Sequence, residues 1–485
     1  MTDMYSLPGR ESFSYKEYFM KNHLIPLFLA LALLAVMPAA AKDGGDDKAD
    51  YTLQTLLEER ETASENALSG AAAADPSSLI LLTWPGDPES VRYEVEILNG
   101  LPAGLDRNSP CESRIFVKKN IYTNKVLIDL SALPASDHLY WRVRPIDADW
   151  EGMGPFSAPM EVRSTQKTVA RNAPLPDVPP QGSGVSLLYP VYTYAGNPGA
   201  VKYEVEVTKK YPENPDGTEP SKYRVFSAVT SLSDVYDSEP RLGTFYWRVR
   251  GMDGDGNPVG IWSLPVRTGV EPDKKVDIAV FGDSITQGGG RLYHTPSDGA
   301  YSYISYLDFP AVNLGRSGDT VEMMVRRFDR DVLPFRVRYL LIMGGINDLR
   351  MGADPDKVIA GLQRIREKCL RKHIMPILMT LPPINPDNIA RYYRESTYEG
   401  WRESVDRVNA YIRSQPHIDT AAPFAHFSVM PSEFALDGLH EDWNAKQMIA
   451  GEINRRIGDF RKADEEKTAG DSDKKENRKE QHRKK

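Results

Sequence analysis

The chain carries two kinds of hydrophobic pattern, and they change over near residue 271. Before that point apolar and polar residues alternate. Tyr93, Val95 and Ile97 alternate with Glu94 and Glu96, and Trp141 and Val143 alternate with Tyr140, Arg142 and Arg144. A period of two puts one face of a strand in a core and the other in water. Both signatures return downstream in the same order. "VRYEVEILNG" from Val91 matches "VKYEVEVTKK" from Val201, and "YWRVRPIDADWEGMGPFSAP" from Tyr140 matches "YWRVRGMDGDGNPVGIWSLP" from Tyr246. The offsets are 110 and 106 residues, so this is a duplicated unit. Dense turn residues and the lack of helical periodicity make each copy a β-sandwich. Beyond residue 271 the runs "VDIAVFGDS", "RYLLIMGGIND" and "MPILMTLPP" are continuously apolar. Between and after them lie "PDKVIAGLQRIREKCLRKH" and "YEGWRESVDRVNAYIRSQ", which have helical spacing. Strand alternating with helix predicts a parallel sheet with helices on both faces.

The pattern also predicts details. Trp141 and Trp247 point inward and belong to cores. Glu94 and Glu96 would lie opposite Arg142 and Arg144 as exposed cross-strand pairs, each contributing only about 0.2–1 kcal/mol. "RNAPLPDVPPQGSG" between the copies reads as a stiff Pro-rich spacer followed by a flexible hinge.

The ends differ from the middle. Residues 24–41, "LIPLFLALALLAVMPAAA", form an apolar run behind Lys21 and end in small residues before "KDGGDDKAD". This is the pattern of a cleaved export signal, with translation starting at Met20 as the compact version. The competing reading is an uncleaved anchor, since 18 apolar residues just span a bilayer. No Cys stands directly after the run, which argues against a lipid anchor. The expected organisation is a signal peptide over 1–41, a linker over 42–75, sandwiches over 76–165 and 183–270 with a Pro-rich linker at 166–182, an α/β domain over 271–461, and a disordered charged tail over 462–485.

Composition narrows the partners. Of 485 residues, 41% are hydrophobic and 26% charged, ordinary values for globular protein. A formal net charge of -8 argues against nucleic acid as a partner. The two cysteines, Cys111 and Cys369, fall in different domains and form neither a disulfide framework nor a metal cluster. The sequence implies no metal and no cofactor.

Candidate chemistry gathers at the ends of the apolar strands, where ligands collect in such sheets. "IAVFGDSITQ" ends a strand at Gly282 and presents Ser284. A serine nucleophile needs a base, a group to orient that base, and oxyanion donors. His440 in "LDGLHEDW" has Asp437 three residues before it, close enough for the carboxylate to reach the ring Nδ1. "NLGRSGDT" offers the Gly315 N–H, and "GGIND" the Asn347 side-chain amide. Ser317 is a rival hydroxyl in the donor block.

Two resemblances follow from these residues. The "YEVEV … YWRVR" pattern resembles fibronectin type III domains over most of 76–268. The ordered blocks "GDSIT", "NLGRSG", "GGIND" and "DGLH" resemble the SGNH hydrolases, or GDSL esterase/lipase family, over about 275–460. That resemblance implies a flavodoxin-like three-layer domain with Ser284 as nucleophile, His440 as base and Asp437 orienting it. It also implies an oxyanion hole of Ser284, Gly315 and Asn347. The expected activity is exported carboxylic-ester hydrolysis, periplasmic, cell-surface or secreted, removing acetyl groups from a polysaccharide or oligosaccharide that the sandwiches could bind. A lysophospholipase or short-chain acyl-ester or thioester hydrolase is the alternative. A cell-surface binding protein, with the sandwiches as its working part, is the reading from another class.

Overall fold

The computed structural model describes residues 76–162, 169, 171–178, 186–273 and 275–462. The expected signal peptide, the 42–75 linker and the charged tail from residue 463 onward lie outside the described residues.

The α/β domain is built on a five-stranded parallel sheet. Across it the strands run Val312–Gly315, Ile278–Gly282, Tyr339–Met343, Met375–Met379 and His417–Ile418. In sequence terms this order is 2-1-3-4-5, the doubly wound arrangement whose ligand crevice opens beside the first strand. The strands Ile278–Gly282 and Tyr339–Met343 are buried at every position, as expected of strands covered on both faces. The helices Val321–Asp331, Pro355–Arg371 and Trp401–Arg413, with a helix over 443–462, supply the covering apolar faces. Gly282 pairs with both Gly315 and Met343, so three strand ends meet at one level.

Both repeats are antiparallel β-sandwiches. In the first, Leu79–Thr83 pairs with Lys125–Asp129, and a second sheet runs Arg114–Ile121, Arg92–Asn99, Leu139–Ile146 and Met160–Glu161. The register sets Glu94 opposite Arg144 and Glu96 opposite Arg142. Trp141 and Trp247 lie in their respective cores.

The other face of these strands is not in water. Glu94, Glu96 and Arg142 are fully buried, contrary to the expected exposed pairs. The 106–111 loop folds over them. Arg142 donates to Glu96 Oε1 (2.6 Å) and to the carbonyls of Asp106 (2.6 Å) and Ser109 (2.8 Å), while Phe156 covers its guanidinium. The second copy repeats this with Arg248, Glu206, the Asn214 carbonyl and Trp262. Alternation identifies the faces of a strand but says nothing of a loop that returns to cover one. Losing one partner of such a pair strands a buried charge, at a cost of about 3–5 kcal/mol, well beyond a surface pair.

Two boundaries also differ from expectation. Leu175–Pro176, placed in the linker, pairs as an edge strand with Val191–Ala195, an edge being where a strand proline is tolerated. Arg171 donates to Asp216 (2.8 Å), and Asn172 is bonded to Asn197 (2.8 Å), so residues 171–178 belong to the second sandwich. At the other end, Leu188 and Tyr189 belong to the core of the α/β domain. Leu187 bridges Asn313 in parallel, extending the catalytic sheet beyond its edge strand. Packing therefore crosses the expected division at residue 271.

Candidate active site

Ser284 begins a four-residue helix, Ser284–Gln287, immediately beyond the strand Ile278–Gly282. Asp283 caps it, accepting the Ile285 N–H at 3.1 Å. Ser284 Oγ lies 2.9 Å from His440 Nε2, and His440 Nδ1 lies 2.8 Å from Asp437 Oδ2. Asp437 Oδ1 accepts the backbone N–H groups of Leu439 and His440, both at 2.7 Å. Burial alone would raise the Asp437 carboxyl, but the His440 charge and these hydrogen bonds outweigh it and hold it below the ordinary carboxylate range. An ionised Asp437 can only accept, so the Nδ1 proton points at it and Nε2 is left to accept from the serine.

Tyr393 carries no signal in the sequence. It ends the helix Pro386–Tyr393, donates to Asp437 Oδ2 at 2.7 Å and lies 3.2 Å from His440 Nδ1. No short motif links residue 393 to residue 437; only the fold brings them together.

The donor side changes one assignment. Asn347, in the helix Ile346–Arg350, donates one amide hydrogen to the Asp319 carbonyl (3.1 Å) and accepts from Arg350 Nε (3.3 Å). Those contacts fix which end is oxygen and leave the second amide hydrogen unspent. Gly315 is different. Its N–H donates to Asn313 Oδ1 at 2.9 Å and is buried, so it is not an available oxyanion donor. Gly315 instead gives room, since a Cβ there would lie 2.1 Å from the Gln287 nitrogen. Three residues on, Gly318 is exposed at φ +77°, and its N–H has no partner among the described residues. The quoted block "NLGRSGDT" contains both glycines, and only the backbone path distinguishes them. Ser317, the rival hydroxyl, is exposed, and its backbone N–H donates to Gln287 Oε1 at 2.8 Å.

A buried scaffold holds this loop. Gln287 accepts from Ser317 with one end and with the other donates to the Tyr189 carbonyl at 2.8 Å. Arg327 donates to the carbonyls of Gly282 (2.8 Å) and Leu314 (2.9 Å), plugging two strand ends, and pairs with Asp319 and Asp331. The Tyr189 hydroxyl donates to Asp331 at 2.6 Å. A residue that precedes the α/β domain by sequence thus supports the loop carrying Gly318. Cys111 and Cys369 are both buried and free. Among the described residues, no group of three or more His, Cys, Asp or Glu is arranged to hold a metal.

Comparison with known proteins agrees with the blocks in the sequence. Residues 280–441 match the GDSL-like lipase/acylhydrolase family. An uncharacterized lipoprotein of Bacillus subtilis (strain 168), YqeF, is 35% identical over 189 residues, 34% of this chain and 77% of its own length. Among solved structures, a GDSL-like lipase from Bacteroides thetaiotaomicron VPI-5482 is 19% identical at a TM-score of 0.32, covering 39% of this chain and 91% of its own. An acetyl xylan esterase from Geobacillus stearothermophilus is 22% identical at a TM-score of 0.30, covering 37% and 94%. The chain belongs to the GDSL-like lipase/acylhydrolase family, and it is a hydrolase of ester bonds.

Proposed function

We propose that the protein is an exported esterase that removes acyl groups, acetyl foremost, from a carbohydrate by way of an acyl-enzyme on Ser284. The observation that carries this reading is the unbroken line from Asp437 through His440 to Ser284 Oγ at the open ends of the strands. Ser284 Oγ attacks the ester carbonyl carbon as His440 Nε2 takes its proton, and Asp437 stabilises the imidazolium. The negative oxygen of the tetrahedral intermediate is met by the N–H groups of Ser284 and Gly318 and by the Asn347 amide. The carbon–oxygen bond to the alcohol then breaks, and that oxygen leaves with the His440 proton. Water, deprotonated by the same nitrogen, cleaves the acyl-serine and releases the acid.

Export rests on the apolar run 24–41 and its small-residue end, and the B. subtilis relative is itself named a lipoprotein. A carbohydrate substrate fits two sandwiches of fibronectin type III character packed around an esterase, and no long apolar segment interrupts the catalytic blocks to cover a lipid chain. The test is a panel of acetylated oligosaccharides, lysophospholipids and acyl esters of rising chain length. Acetylated sugars should give the highest kcat/KM, and a preference for long acyl chains overturns the substrate. Ser284→Ala should cost at least about 10⁴-fold in kcat, and Asn347→Ala about 10²–10³-fold with little change in KM. Wild-type protein that binds polysaccharide and cleaves no ester would make the sandwiches the working part.

A further inference from the structure

The two sandwiches are copies, so each serves as a control for the other. The turn over residues 147–151 is matched in its backbone by residues 253–257. Asp147 N–H donates to the Glu151 carbonyl (3.0 Å) as Asp253 N–H does to Asn257 (2.9 Å). The side chains of Asp147 and Asp253 each accept two further turn N–H groups. The fourth position has a left-handed backbone in both, φ 68° in the first copy and 87° in the second. The second copy has Gly256 there, as such a backbone favours, and it is exposed to solvent. The first copy has Trp150, a bulky residue where one is rarely tolerated.

What differs around Trp150 is the α/β domain, which packs against the tip of the first sandwich and not against the matching turn of the second. The Trp150 ring lies 3.7 Å from the guanidinium of Arg92, a residue only 1% exposed, whose Nε and Nη1 have no hydrogen-bond partner among the described residues. The second copy has an exposed Lys202 in place of Arg92. Tyr293, nine residues after Ser284, packs on the same guanidinium at 5.0 Å. Asp149 grips Arg391 at 2.6 and 2.8 Å, on the helix that ends in Tyr393. Glu89 and Ser90 carbonyls meet Arg291 (2.9 Å) and His294 (2.8 Å), and Arg291 reaches Asp442, two residues beyond His440. The Arg391 guanidinium that Asp149 grips lies 5.1 Å over the Tyr392 ring, and burial raises the Tyr392 hydroxyl. The tip of the first sandwich therefore holds both elements that flank His440.

The direction matters chemically. The leaving alcohol takes its proton from His440 Nε2, so the alcohol half of the ester lies on the His440 side. We propose that Trp150 is a specificity-determining platform on which the alcohol half of the substrate packs, making the first sandwich a fixed wall of the site. Trp150 is half-buried, so its ring keeps surface to offer. An aromatic face beside the exposed Asp149 and Arg391 suits a sugar, with C–H groups on the ring and hydroxyls on the charges. That last step rests on the carbohydrate reading above; the wall does not.

The test uses the full chain and three acetates that differ only in their alcohol: 4-nitrophenol, a xylo-oligosaccharide and dodecanol. Trp150→Gly installs the residue that the second copy carries. For whichever large alcohol the wild type prefers, KM should rise about 10-fold, while kcat and the 4-nitrophenyl reaction stay within about 2-fold. Trp150→Phe keeps an aromatic ring against Arg92 and should fall between. Equal losses on small and large alcohols in both variants would mean a purely structural tryptophan and overturn the proposal, as would no change on any. A wild type that prefers dodecyl acetate, with KM still sensitive to Trp150, would remove the sugar and keep the wall. Wild-type protein that cleaves only the nitrophenyl ester overturns both.

Discussion

Asp283 sits beside the reactive serine, fully buried, with one oxygen on the Ile285 N–H and the other without a partner among the described residues. Burial, opposed by that N–H and by His440 and reinforced by Asp319 and Glu441, pushes its carboxyl up to about 7. The folded protein thus keeps a proton that the unfolded chain releases near the ordinary carboxylate value, about 3.9. Stability contributed by this residue falls as pH rises between about 4 and 7, and is level above that range. Asn at 283 still caps the helix and cannot ionise. Asp283→Asn should shrink the drop in unfolding temperature between pH 5 and pH 8, measured by thermal denaturation. It will not abolish the drop, because burial also pushes Asp348 and Asp442 up to about 6. An unchanged drop would remove Asp283 as a source. Ser284 and Asn347 stand out as candidates in the sequence because each follows an apolar strand run, and Asp437 and His440 because they lie three residues apart. Gly318 was not, because two glycines share the block and only the fold shows that the Gly315 N–H is already spent.

At the scale of elements, the strands Ile278–Gly282, Tyr339–Met343 and Met375–Met379 and the helices Pro355–Arg371 and Trp401–Arg413 followed from the hydrophobic pattern. The segments that escaped are those whose structure is made by a distant partner. Residues 171–178 look like a proline spacer until Asn172 meets Asn197, and the Glu–Arg face looks exposed until the 106–111 loop returns. Gln287 belongs to the same class. It ends the nucleophile helix, yet its amide bridges the Tyr189 carbonyl to the Ser317 N–H. Gln287→Ala frees the loop holding Gly318 without touching the Ser284–His440 pair. A roughly 10- to 100-fold loss in kcat with KM nearly constant is expected, the signature of a misplaced donor. Gln287→Glu keeps an acceptor for Ser317 but sets a carboxylate against a carbonyl, so it should rescue little. A variant that loses affinity for substrate instead of turnover would show that Gln287 shapes the pocket rather than the oxyanion loop.

Across the whole molecule, a short linear description fails in one respect: the three folded parts are not beads. A fragment of 271–461, the α/β domain as the sequence bounds it, lacks Leu188 and Tyr189. It leaves Asp331 without the Tyr189 hydroxyl and Gln287 without its acceptor. Such a fragment should be much less soluble and at least about 10-fold less active on 4-nitrophenyl acetate than the full chain, since a core aromatic and two buried hydrogen bonds go at once. Full activity in the fragment would show that the segment is decoration.

The bridge from Leu187 to Asn313 also bears on how the chain comes together. Residues 186–190 emerge during synthesis well before the strand Val312–Gly315 they flank, and Tyr189 finds Asp331 across 142 positions. The second sandwich can close first, leaving its leading segment as a template on which the edge of the parallel sheet is later laid. That edge is met by its own chain and so is not open to pairing with a neighbouring molecule. The corresponding cost is speed. A sheet completed by so distant a contact refolds more slowly than one closed from local pieces, and the segment that completes it is the one that steadies the oxyanion loop.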